Sequence, residues 1–153
     1  MGLDMFLYKI KRNEIAYWRK ANAIHAWFER KLTGDEELEN CRDYHVTKED
    51  LIELRDTCEK VLKLCKVSSG KVKNGSRYNS ATGEWDPIYE DGEVINNPEV
   101  AEELLPSQSG FFFGSTNYDQ YYLEDLKNTI DQIDEVLKTT DFNREEVVYT
   151  AWW

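Results

Sequence analysis

The chain has 153 residues, is 41% hydrophobic, and carries a net charge of −11 from 30 acidic and 19 basic residues. That length suits one domain with its own core, while the acidic balance argues against a direct nucleic-acid binder, which presents a basic face. No stretch nears the roughly 18 uninterrupted apolar residues of a membrane span, and the start, MGLDMFLYKIKR, has an early Asp4 and no secretion-type apolar run.

The opening Met-Gly would suit myristoylation, but Phe6 stands where Ser or Thr is required. Neither nucleic acid nor a membrane is therefore expected as a partner. The cysteines, Cys41, Cys58 and Cys65, are odd in number and fit no disulfide framework; they read as free thiols of a reducing compartment, a cytoplasm. Charge is unevenly spread. Residues 1–32 carry seven Lys/Arg against three acids, a net of +4, and the remainder carries twelve against 27, a net of −15. An anionic ligand near the first helix would use that asymmetry; the plainer reading is a basic helix packed beside acidic neighbours.

In chain order, Leu3–Ile10 alternates as a strand with both faces partly covered. A helix is expected over about Glu14–Leu32. Tyr17, Ala21, Ile24 and Phe28 form its core stripe, and Trp18, Asn22, His25 and Glu29 form a second, polar-aromatic stripe beside it. Such a stripe suits the rim of a pocket, since a ring stacks while amide and imidazole hydrogen-bond. It equally suits half-buried side chains bonded to nearby backbone. Thr33–His45 is an acidic loop entered at Gly34. Thr47 with Asp50 caps a second helix running to about Leu64, with Leu51, Leu54, Cys58 and Val61 inward. Cys41 and His45 lack further ligands at metal spacing, and no metal is expected.

Lys66–Asn97 turns rich in Gly, Ser, Asn and charge, with Asn74-Gly75 and Asp91-Gly92 as turn signals. Lys71–Lys73, Arg77–Asn79, Glu84–Tyr89 and Glu93–Ile95 read as short hairpin strands, bases on the first arm facing acids on the second. Pro98 opens a short helix over Glu99–Leu105. The densest aromatic stretch follows, LPSQSGFFFGSTNYDQYYLEDL. Phe111–Phe113 reads as a short strand or extended turn between Gly110 and Gly114. Thr116 with Asp119 signals a cap for a helix to about Thr139, with Tyr122, Leu126, Ile130, Ile133 and Leu137 inward. The amides at its start could hold a phosphate, although Asp119 already answers the helix dipole there. Glu145–Trp153 reads as a last strand.

No Gly-rich phosphate loop, serine elbow, HExxH or paired CxxC is present. Neither His25 nor His45 has a local nucleophile, nothing points to an enzyme, and no cofactor is implied. Three motifs, MGLDMFLY, YWRKANAIHAWF and LPSQSGFFFGSTNYDQYYLEDLKNT, resemble those of a family of small bacteriophage and prophage proteins without an assigned activity. The likeness covers both ends and implies a viral protein made in a bacterial cytoplasm, with the middle as its variable part.

The expectation is one α+β domain over residues 1–153, three main helices on a small, mostly antiparallel sheet, with residues 66–97 as a projecting hairpin or loop insertion. The expected function is a non-enzymatic accessory protein that sequesters a small anionic or nucleotide-like ligand. Trp18, Arg19, Asn22, His25, Gln108, Ser109, Phe112, Tyr118, Tyr121 and Asp125 are its candidate site, with rings stacking a base and Arg19 taking phosphate. The competing expectation is an acidic inhibitor of a host protein, a DNA mimic among its forms, with a small hydrolase further behind. The aromatic C-terminus offers an apolar patch on which two copies could pair.

Overall fold

The computed structural model describes residues 3–34 and 36–153; Met1 and Gly2 of the opening motif and Asp35 of the acidic loop lie outside them. The chain is α+β. Four helices, α1 (Asn22–Thr33), α2 (Lys48–Leu64), α3 (Pro98–Leu104) and α4 (Gln120–Thr139), accompany four strands, β1 (Tyr44–Val46), β2 (Val67–Asn79), β3 (Glu84–Ile95) and β4 (Val147–Tyr149). The strands form two separate antiparallel pairs, β1–β4 and β2–β3, rather than the single small sheet expected.

The core is helical. Leu51, Leu54, Cys58 and Val61 of α2 face Tyr122, Leu126, Ile133 and Val136 of α4, and Ile24 and Phe28 of α1 close the layer. Each such side chain contributes on the order of 1.5–3 kcal/mol by leaving water. Burial pushes the Cys58 thiol up to about 12, so it is an inert core residue. Both local signals for α2 are realised: Thr47 accepts from the Asp50 N–H (3.1 Å) and Asp50 answers from the Thr47 N–H (2.9 Å). At α4 the cap is Asp119 itself, whose carboxylate takes the Tyr121 and Tyr122 amides, so Thr116 plays no capping part.

Helix α1 starts eight residues later than Glu14. Residues 14–21 are instead held along α4. The Gln132 side-chain amide accepts from the Tyr17 N–H (2.7 Å) and donates to the Tyr17 carbonyl (2.9 Å), as a neighbouring strand would. The Trp18 indole donates to Thr129 Oγ1 (2.9 Å), and Lys20 takes a left-handed φ of 57° that no helix continues through. Leu3–Ile10, expected as a strand, joins no ladder among the described residues; its large apolar side chains are exposed.

Residues 66–97 do form a hairpin, longer and simpler than the pieces expected. Lys71 stands opposite Asp91 and Arg77 opposite Asp86, so the basic arm does face the acidic one. Asn74-Gly75 makes a bulge between Lys73 and Ser76 instead of a turn, and Gly83 (φ 74°) supplies the turn. Asp91-Gly92 lies within β3. A Cβ on Gly92 would sit 2.2 Å from Gln120 Oε1 and 2.9 Å from Val72 Cγ2, so glycine lets the base of the hairpin lie against the start of α4.

Candidate functional site

α1 presents Asn22, His25 and Glu29 toward the loop before α4. Asn22 is buried and fully used: its amide donates to the Phe113 (3.0 Å) and Ser115 (2.8 Å) carbonyls and accepts from the Gln108 N–H (3.0 Å). Gln108 in turn donates from Nε2 to Glu29 Oε1 (3.1 Å), and Glu29 Oε2 accepts from the Leu38 N–H (3.0 Å). None of the ion pairs among the described residues involves Glu29.

The third contributor is the C-terminal strand. β4 places Tyr149 so that its ring stacks on Phe28 (4.1 Å between centroids, 16°) and its hydroxyl meets His25 Nδ1 at 2.7 Å. Asn40 grips the chain end through the Trp153 N–H and carbonyl, both 3.1 Å. Trp153 and Phe113 then stand edge-on to the imidazole at 5.2 and 5.1 Å. Burial lowers the His25 pKa, and the Glu29 charge raises it by less, so the ring is neutral at physiological pH. Two atoms here are buried and lack a hydrogen-bond partner among the described residues: His25 Nε2 and Gln108 Oε1.

Three of the ten candidate residues, Asn22, His25 and Gln108, thus meet in one cluster. The other seven do not join it. Trp18 is spent on Thr129. The Tyr118 hydroxyl accepts from the Ser107 N–H (3.1 Å), its ring edge-on to Tyr122, and so braces the base of the loop. Tyr121 donates to the Glu90 carboxylate and ties α4 to the hairpin. Asp125 lies on α4, its carboxyl pushed up to about 6 by burial and then by Glu124 and Asp119. Arg19, Ser109 and Phe112 are exposed. The phosphate seat imagined at the start of α4 is closed by Asp119.

Glu29, although part of the second stripe, was not among the ten, and Phe113, Tyr149 and Trp153 were missed. The FFF run and the Trp-Trp end did flag aromatic surface, but only the β1–β4 pairing carries Tyr149 to His25, and no local pattern reports that. Two surface depressions lie elsewhere. One of about 450 Å³ is lined by His45, Thr47, Lys48, Asp141 and Glu145, and one of about 420 Å³ lies along α2; no candidate residue lines either. Among the described residues no group of three or more His, Cys, Asp or Glu is placed to hold a metal, and no helix is long and apolar enough to cross a membrane. No protein-family model, curated protein or solved structure matches the chain.

Proposed function

We propose that the protein is a non-catalytic binding protein that holds a small planar polar ligand at the His25–Gln108 cluster. One observation carries this reading: two buried atoms without a hydrogen-bond partner among the described residues, His25 Nε2 and Gln108 Oε1, are carried by side chains that flank the Asn22–Phe113 contact. An unpaired buried polar atom costs about 1–3 kcal/mol. Two together mark a place that a ligand group or ordered water completes.

Their roles are complementary. In the tautomer in which the Tyr149 hydroxyl donates to Nδ1, the neutral ring carries its proton on Nε2 and donates, while Gln108 Oε1 accepts. An amide or nucleobase edge, which sets an acceptor beside a donor, matches that pair. The Glu29 carboxylate, which forms no ion pair among the described residues, disfavours an anion. The bound head is therefore uncharged, in contrast to the anionic ligand expected from the basic first helix, and any phosphate lies outside the cluster. The phage resemblance supports only the setting, an infected bacterium; sequestering a nucleotide-derived signal there is the role proposed from the aromatic segment and the missing catalytic motifs.

The test is native mass spectrometry on protein purified from bacterial cytosol, followed by denaturation to release what it carries. Wild type should carry one small molecule per chain, and Gln108→Leu, lacking the acceptor, should purify without it. A bare wild type whose His25 Nε2 resonance also stays fixed on titration with free nucleosides would sink the reading. A second reading, an acidic inhibitor engaging a basic host protein, is favoured by the carboxylates standing exposed along α2 (Glu49, Glu53, Asp56, Glu59) and α4 (Asp131, Asp134, Glu135).

A further inference from the structure

Leu3, Met5, Phe6, Leu7, Tyr8 and Ile10 make up most of an eight-residue stretch, and all six are turned to water. Phe6, the least exposed, is 72% accessible and Leu7 fully so. Scattered surface leucines need no explanation, but six large apolar side chains in one short run do. As a strand the run would set Leu3, Met5 and Leu7 on one face and Phe6, Tyr8 and Ile10 on the other, and a strand is stable only against another edge. Its root is placed: Arg12 pairs with Asp43, the residue before β1. From there eight extended residues reach roughly 26 Å.

An edge of the right kind exists on every copy of the chain. Among the described residues the β1–β4 pair has two strands, so β4 has a side that no described strand pairs with. The chain continues that ladder beyond Tyr149 through the Cys41 N–H to Ala151 carbonyl bond (2.8 Å), and it leaves Val148 and Trp152 exposed, Trp152 at 82%.

We propose that Leu3–Ile10 is an exchange arm that lies along the free β4 edge of a second copy of this chain, each copy giving and receiving one arm. Area and charge both argue for this occupant. Phe6 and Tyr8 alone would bury roughly 150–250 Å² each, and the four aliphatic side chains add to that toward the roughly 800 Å² per partner of a stable complex. The arm and its root carry Lys9, Lys11 and Arg12 against Asp4, a net of +2, which leaves −13 on the rest of the chain that receives it. Reciprocal exchange closes the assembly at two copies and removes both the exposed apolar run and the open strand edge. No arm residue belongs to the His25 cluster, although β4, whose edge the arm takes, also carries Tyr149.

The full chain is measured by size-exclusion chromatography with light scattering across about 1–200 μM, bracketing micromolar affinities. Amide exchange of residues 3–10 is followed at both ends of that range. Wild type should run at twice the 18.0 kDa chain mass, with arm amides protected only where the dimer forms. Phe6→Asp with Leu7→Asp, both at exposed positions, should leave a folded monomer or weaken association at least tenfold. Three results overturn the proposal: a wild-type monomer throughout, a dimer indifferent to the double substitution, or arm amides protected in the monomer. The last would mean that the arm docks on its own body.

Discussion

Asn22 directs its whole side-chain amide at the 108–115 loop, two donations and one acceptance, and so fixes where Gln108 and Phe113 stand relative to His25. Burial acts on the Asp125 carboxyl with no opposing charge or hydrogen bond among its causes. Its carboxyl is pushed up to about 6, against 3.8 in an unstructured chain, chiefly by burial. Between those values the folded protein holds a proton that the unfolded chain has released, so this group makes stability fall as pH rises through that window. His25 acts in the opposite sense: burial lowers its pKa, so below 6.5 the unfolded chain takes up the proton first and stability drops as pH falls. Asp125→Asn isolates the first effect. It should raise the unfolding free energy measured by urea titration at neutral pH by ~1–2 kcal/mol, discounted for the solvent reaching a partly exposed group, and leave it unaltered near pH 3, where both forms are uncharged. A variant no more stable than wild type at neutral pH would show that the charge is already compensated.

The elements differ in how locally they are specified. α2 was legible nearly residue for residue, since its capping box and its 3.6-residue apolar repeat both lie within the helix. The start of α1 was not, because the Gln132 clamp on Tyr17 and the Thr129 bond to Trp18 come from more than a hundred residues away. Asn74-Gly75 carries a turn signal, yet the cross-strand register places it in a bulge, a choice made by the pairing as a whole. Gly92 shows what seats the hairpin. Gly92→Val should press into Val72 and displace Gln120, at a cost of about 2 kcal/mol. Amide exchange at Glu93, whose N–H donates to Gln120 Oε1 (3.0 Å), should quicken with it. If exchange at Glu93 does not change, the hairpin is seated by something other than this contact.

At the scale of the molecule, charge is the dominant surface feature. The ion pairs are at the surface and contribute little each, so most of the 30 acids act as a field rather than as bonds. If that field serves a basic host protein, the complex should hold at roughly 50 mM salt and be shed by roughly 1 M, where the Debye length is about 3 Å. Pull-downs from host lysate read this directly, and an empty low-salt lane removes the inhibitor reading. The same acidic field attracts the positively charged root of the arm.

The sequence by itself determined the helical core, the basic-against-acidic hairpin, the acidic surface, and three members of the cluster, Asn22, His25 and Gln108. All of these follow from periodicity, capping and composition, which act over a few residues. Only the tertiary structure decided that Tyr149, Trp153 and Phe113 close around His25, that Trp18 and Tyr118 brace the fold, and that Leu3–Ile10 joins no ladder among the described residues. Those outcomes depend on contacts between distant segments, the His25–Tyr149 bond alone joining residues 124 apart. No local pattern encodes which distant edge or side chain will be within reach.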